Sequence, residues 1–313
     1  MLNFVGMLSY VYAAQANVKQ RREKTHHRKS YSWAPKARTE FAVWSVTTGF
    51  FFGLASMVRS NGLLSGLIFV WDAVEGVRKI LQAKRKRRWE ELPGLLGTLA
   101  GGSLVATGFA LPQVVAYFEY CTGGNTRPWC SRIPPSIYTW VQEHYWEVGF
   151  LKYWTLNNIL LFVLAAPMLF VLANTGVFAL LKSDDIVKVI KKDDLAPRST
   201  EIEANSQVNA DYLVCCRTLQ RFALPQLLLA LLATTSFHIQ IINRISSGYP
   251  VWYTMVAIAI QSSSPATQKA GDAEANIGPL FYVQGSKLQR IVRAMVMYAI
   301  IQGGLYACFL PPA

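Results

Sequence analysis

The sequence predicts an all-α fold: a multi-pass transmembrane helical bundle of about eight spans, forming a single transmembrane domain over residues 1–313. Three observations lead there. The chain is 52% hydrophobic with a mean hydropathy of +0.24, more apolar than a typical soluble domain. Its apolar runs are of membrane length and alternate with short basic runs. Residues 138–154, YTWVQEHYWEVGFLKYW, mass seven Phe, Trp and Tyr rings among polar groups, the composition of a membrane interface. The net charge of +13 falls in those short runs and not along one face, so it points to anionic lipid and not to a nucleic acid partner.

In chain order, residues 2–14 lack a basic leader and a small-residue cleavage site, so they read as part of a helix and not as a signal peptide. A basic run with His26 and His27 follows, and the positive-inside rule puts it in the cytoplasm. Two adjacent histidines in a solvated basic run do not make a metal set, and no metal is expected. Residues 41–57 cross outward, Arg59 to Gly62 form the luminal tip of a hairpin, and 63–77 return to the basic run at 84–88. Residues 94–117 cross outward with a kink expected at Pro112.

Pro134 and Pro135 delay a short amphipathic interfacial helix until Ser136. Residues 159–181 return, 222–242 cross outward, 251–260 return, and 291–309 form the last span. The loops then sort by side: a luminal loop at 119–153 and cytoplasmic loops at 15–39, 78–93, 182–217 and 261–289. Of the five cysteines, Cys121 and Cys130 flank a polar loop without further metal ligands, which predicts a luminal disulfide. No 20- to 50-residue repeat, phosphate-binding Gly loop or hydrolase motif is present.

Three segments, RSNGLLSG (residues 59–66), IPPSIYTWVQEHYWEVGFLKYWTLNN (133–158) and MYAIIQGGLYACFLPPA (297–313), supported by FHIQIINRISSGYPVWY (237–253), resemble the fungal GPI mannosyltransferase 2 family. The resemblance implies a membrane glycosyltransferase of GT-C-like class in the endoplasmic reticulum membrane. It implies transfer of mannose from dolichyl-phosphate-mannose to the lipid-linked GPI precursor through an α-1,6 link, and leaves room for a small membrane partner subunit. It carries no certain cofactor, and metal dependence stays open. It also implies an upstream helix and a first luminal loop with a Trp-Asp pair, expected to bear the catalytic carboxylate and to be missing from this chain. Trp71 and Asp72 do not match that pair, lying toward the cytoplasmic end of a returning helix.

Such a reaction needs a base for the acceptor proton, cations for the departing phosphate and polar groups that orient two lipid-tethered sugars. Arg59 can hold phosphate and Asn61 a sugar hydroxyl. Gln142, Tyr145, Trp146 and Lys152 can add hydrogen bonds, stacking and a second cation, and Gln240, Asn243 and Arg244 sit on a later luminal turn. Arg59, Asn61, Gln142, Tyr145, Trp146 and Lys152 are expected to converge on one luminal cavity. The catalytic residue is unknown; Glu143 and Glu147, one helical turn apart, are weak substitutes. Interfacial anchoring explains the same rings, and snorkelling explains Arg59. Two other readings remain open: a non-catalytic fragment of such an enzyme, and a lipid or solute transporter, which Asp72 and Glu75 inside the spans allow. The missing internal repeat and the massing of polar aromatics at one face weigh against a transporter.

Overall fold

The computed structural model describes residues 1–26, 34–83, 85–123, 127–146, 148–184, 201–262 and 286–308. Among them there is no strand. The helices are α1 (Leu2–His26), α2 (Ala34–Val58), α3 (Leu67–Gln82), α4 (Arg85–Cys121), α5 (Ile137–Trp146), α6 (Ile159–Leu181), α7 (Glu201–Thr235), α8 (Ile241–Ile245), α9 (Pro250–Ser262) and α10 (Ser286–Cys308). Short 3₁₀ segments occupy Ser60–Gly66, Leu156–Asn158 and Ser246–Gly248. Of the eight or so crossings expected, three helical stretches among the described residues are long and apolar enough to span a membrane: Thr39–Val58, Arg88–Cys121 and Leu156–Leu181. Pro250–Ile260 is apolar but shorter. The 16-residue α3 carries Asp72 and Glu75 in its middle, which separates it from a plain lipid-facing span.

The expected loops are shorter than the charge pattern suggested. The run placed in a 15–39 loop is helical to His26, and α2 begins at Ala34. Only residues 83–84 separate α3 from α4 within the expected 78–93 loop, α7 already starts at Glu201 inside the 182–217 loop, and α4 reaches Cys121 inside the 119–153 loop. Lys, Arg, Glu and Gln are good helix formers, so the apolar pattern stops before the helix does. Parts of the 182–217 and 261–289 loops, with His27, lie outside the described residues. The expected crossing at 222–242 ends earlier, at Thr235, because the amides of Ser236 and Phe237 both close onto the Leu232 carbonyl at 2.8 Å. Helix α4 is continuous through Pro93 and Pro112.

Two apolar clusters hold the bundle together. One joins α1, α2, α3, α4, α6, α7 and α9 through Tyr10, Phe52, Phe69, Val105, Phe178, Phe222 and Met255; the other joins α6, α7 and α8 through Leu172, Leu229, Ile239 and Ile242. Helices α2 and α4 touch backbone to backbone along a glycine seam, where a Cβ on Gly49 would lie 2.3 Å from the Gly101 carbonyl oxygen and one on Gly108 2.1 Å from that of Gly53. Small residues permit this approach where lipid gives no hydrophobic drive for helices to associate.

An ion cluster ties α1, α3 and α7 together. Arg221, 4% exposed, donates from Nε to Asp72 Oδ1 at 2.7 Å and from a terminal nitrogen to Glu75. Tyr10 donates to the other Asp72 oxygen at 2.6 Å, Lys79 pairs with Glu75 at 2.7 Å, and the guanidinium lies 5.0 Å from the Trp71 ring centre. Asp72 therefore sits in the second turn of α3 and not at the far end of the helix as expected. Both its oxygens are engaged, which leaves it unsuited to act as a catalytic base.

Candidate functional site

The segments expected at the luminal side do meet at one end of the bundle. Ser60 donates to the Tyr138 hydroxyl at 2.5 Å, Leu151 N to the Thr235 carbonyl at 2.6 Å, and Trp154 Nε1 to that of Thr234 at 2.8 Å. Gln113, on α4, anchors the start of α5: its Oε1 accepts from Ser136 Oγ at 3.0 Å and from the Tyr138 amide at 3.1 Å. That satisfies one of the amides left open at a helix N-terminus. It also fixes α5 above the α2–α3 tip, where Gly62 packs so closely that a Cβ would come within 2.5 Å of the Ser56 nitrogen.

Between these elements lies a cavity of about 300 Å³ whose polar lining includes Arg59, Asn61, Gln113, Tyr138, Gln142 and His238, with Ser56 and Ser60 beside them. The cavity gathers Arg59, Asn61 and Gln142 as expected, although they come from two distant parts of the chain. Tyr145, Trp146 and Lys152 do not line it. Tyr145 and Trp146 are exposed on the outer side of α5. Lys152 lies in a separate, more open depression of about 520 Å³ with Arg132, Glu143 and His144.

In that depression Glu143 bridges Arg132 at 2.7 Å and Lys152 at 3.1 Å. Hydrogen bonds from Arg132 and Lys152 hold its carboxyl below the ordinary value, so it is a weaker base than a free carboxylate. Because the folded value is lowered, the tie is complete above the ordinary carboxylate range and is lost as pH falls through the lowered value. Glu147 lies outside the described residues. Gln240 is buried at the start of α8. Asn243 and Arg244 belong to a third place, a groove between α6, α9 and α10.

His238 was not anticipated. Its Nε2 lies 2.9 Å from the hydroxyl of the buried Tyr153, and the two ring centres are 4.5 Å apart. Its Nδ1 is buried without a hydrogen-bond partner among the described residues. Burial holds the imidazole below its ordinary value, so it is neutral at pH 7. A lone histidine in an apolar stretch reads as structural; what could have singled it out is its place in the FHIQ segment, two turns before Arg244. Among the described residues no group of three or more His, Cys, Asp or Glu gathers to hold a metal.

Cys121 and Cys130 are joined as a disulfide with Cα atoms 5.6 Å apart, closing the loop that leads from α4 to α5. Cys121→Ser should lower stability by about 2 to 3 kcal/mol, the value for a short loop. Thermal unfolding of the detergent-solubilised protein measures it, and maleimide labelling of both thiols in unreduced membranes would show that the bridge is not formed.

A sequence model of the Mannosyltransferase (PIG-V) family matches residues 10–313. Among curated relatives, the GPI mannosyltransferase 2 of Gibberella zeae is 39% identical over 269 residues, covering 86% of this chain and 54% of the relative. That of Aspergillus oryzae is 40% identical over 263 residues, covering 84% and 52%, and that of Schizosaccharomyces pombe is 27% identical over 264 residues, covering 84% and 47%. The chain spans about half the length of the curated relatives it matches. No solved structure matches.

Proposed function

The chain belongs to the Mannosyltransferase (PIG-V) family, and from that premise we propose that it carries the substrate-orienting half of an α-1,6-mannosyltransferase acting on the GPI-anchor precursor. In this reading it is a GT-C-like bundle of about eight crossings in the endoplasmic reticulum membrane. Dolichyl-phosphate-mannose is the donor, the mannosylated GPI lipid is the acceptor, and a small membrane subunit is a potential partner. The observation that supports it best is the 300 Å³ cavity at the end of the bundle where the aromatic loop lies, with one cation, three side-chain amides and a neutral imidazole on its wall.

Transfer joins an acceptor hydroxyl oxygen to the anomeric carbon of mannose, breaks the bond from that carbon to the phosphate oxygen, and releases the hydroxyl proton. Arg59 matches the negative charge that grows on the departing phosphate. Asn61 and Gln142 offer both donors and acceptors to sugar hydroxyls, and Gln113, whose Oε1 is taken by Ser136 and the Tyr138 amide, offers its amide nitrogen as a donor. Among the described residues lining the cavity, His238 is the one whose side chain can accept a proton at neutral pH, and the Tyr153 hydroxyl fixes its ring.

The test is a chimera in which this chain replaces the matching segment of a curated relative, expressed in cells lacking the second GPI mannosyltransferase, with labelled mannose transfer as the readout. Transfer should be restored, and Arg59→Ala should lower it by about tenfold to a hundredfold. The lowered value of His238 sets the sign of the pH response: activity stays flat above neutral pH and falls on acidification as the imidazole charges. His238→Gln should lower the rate and remove that acid limb. A chimera that folds and inserts but transfers no mannose rejects the reading.

A further inference from the structure

The open depression lined by Arg132, Glu143, His144 and Lys152 is assembled from three separate pieces of chain. Arg132 comes from just beyond the disulfide, where Trp129 is buried and the Arg132 amide closes onto the Trp129 carbonyl at 3.3 Å. Lys152 comes from the turn before α6. Leu151 in that turn has a φ of 57°, a left-handed conformation that L residues rarely adopt, and the Thr235 carbonyl holds its amide at 2.6 Å. The turn lays the Lys152 stem across Gly149, where a Cβ would fall 2.7 Å from Lys152 Cδ. The two cations then meet on Glu143 of α5, one on each carboxylate oxygen.

One carboxylate does not use up these donors. Arg132 spends one terminal nitrogen on it, and Lys152 one of its three N–H groups. Two cations against one anion leave a net positive charge. The side chains also stay within reach of a ligand, at 44% exposed for Arg132, 45% for Glu143 and 52% for Lys152. Their neighbours in the chain are apolar: Ile133 next to Arg132, and Phe150, Leu151, Trp154 and Leu156 around Lys152, are all exposed. A stretch long and apolar enough to span a membrane begins at Leu156, so Lys152 stands at the level where hydrocarbon gives way to headgroups.

We propose that this depression seats the phosphate of an anionic phospholipid of the surrounding bilayer, with Arg132 and Lys152 donating to it and the acyl chains lying against the exposed side chains between Phe150 and Leu156. A guanidinium and an ammonium together make strong charge-assisted bonds to phosphate oxygens. The net positive charge favours an anionic lipid over a zwitterionic one, and the apolar rim favours a whole lipid over a free phosphate. The seat is distinct from the transfer cavity, because Gln142 lines that cavity whereas Glu143 and His144 line the depression. The inference goes beyond the transferase reading and does not rest on it. A lipid seated here adds to the polar ties that hold α5, a helix with no buried residue.

The test is native mass spectrometry of the purified full chain in a neutral detergent, with dioleoyl phosphatidylglycerol, dioleoyl phosphatidylcholine or dioleoylglycerol added at equal concentration. Phosphatidylglycerol should be retained about fivefold better than phosphatidylcholine, and dioleoylglycerol hardly at all. The double variant Arg132→Gln, Lys152→Gln should lower phosphatidylglycerol retention about tenfold or more, whereas Arg293→Gln, at an exposed cation of α10, should leave it within about twofold. Gly149→Ala keeps every charge but pushes the Lys152 stem aside, and should lower retention about threefold. Glu143→Gln removes the competing carboxylate and should raise it. Exposed ion pairs add little to stability, so melting of the double variant without lipid should match wild type; should it not, Gly149→Ala and Glu143→Gln decide, and unchanged retention in both overturns the assignment. Equal retention by wild type and a folded double variant, an equal loss in Arg293→Gln, phosphatidylcholine held as well as phosphatidylglycerol, or displacement of the lipid by an equal concentration of glycerophosphoglycerol would each overturn it too.

Discussion

Arg221→Ala is expected to cost about 3 to 5 kcal/mol and to leave little folded protein after extraction into detergent, because it strips the counter-charge from two carboxylates inside the bundle. The arginine side chain is 5% exposed and that of Asp72 15%, so water cannot replace the lost partner cheaply. In addition, Tyr10 on α1 donates to the Asp72 oxygen that Arg221 leaves open. Removing the cation therefore loosens three helices at once. The readout is the temperature at which the solubilised protein loses its monodisperse chromatographic peak. A triple variant, Asp72→Asn, Glu75→Gln and Arg221→Met, should regain most of the loss, since replacing a whole buried cluster by neutral groups of similar size is tolerated far better than breaking it. An Arg221→Ala protein that melts within a degree or two of wild type would show that the cluster does not hold the fold.

The same cluster marks where the sequence stops being legible. The apolar runs foretold α6 and α9 almost to the residue, and the end of α2 but not its start at Ala34, because a span must satisfy its backbone internally and must reach across the bilayer. Nothing local relates Arg221 to Asp72, 149 residues away. Read by itself, Asp72 is an acid in an apolar segment and an opening for function. Only the packing of α7 against α3 turns it into a structural partner. Helix ends at basic runs were misplaced for a related reason: charge reports where the membrane ends, and helix propensity does not change there.

At the site, Arg59, Asn61 and Gln142 were legible together because topology alone puts the hairpin tip and the aromatic loop on one side. Lys152 was not, because Glu143 nine residues before it captures the ammonium, a local event that side-of-membrane reasoning does not see. Gln113 was hidden as one polar residue in an apolar helix, although it carries the docking of α5. His238 was hidden because burial, the feature that keeps its imidazole neutral, also makes it look like core.

Gly108→Val is expected to cost more than about 3 kcal/mol, beyond the usual range for an overpacked core, because the collision is with backbone and not with a side chain that can turn away. Its Cβ would fall 2.1 Å from the Gly53 carbonyl oxygen and 2.8 Å from the Gly53 Cα. The only relief is to move α2 and α4 apart, and that breaks the seam elsewhere, where Gly97 meets Ala42 and Gly101 meets the Ser45 carbonyl. Lipid chains solvate the parted faces as well as the helices solvate each other, so no hydrophobic drive restores the contact. The displacement reaches the site, because α2 carries Arg59 at its end and α4 carries Gln113. Gly108→Ala should already show a smaller loss in the same melting assay. Gly304→Ala, in open space, should be neutral or gain up to about 1 kcal/mol from helix propensity. If Gly108→Val and Gly304→Ala melt together, the two helices do not approach as closely as the seam requires.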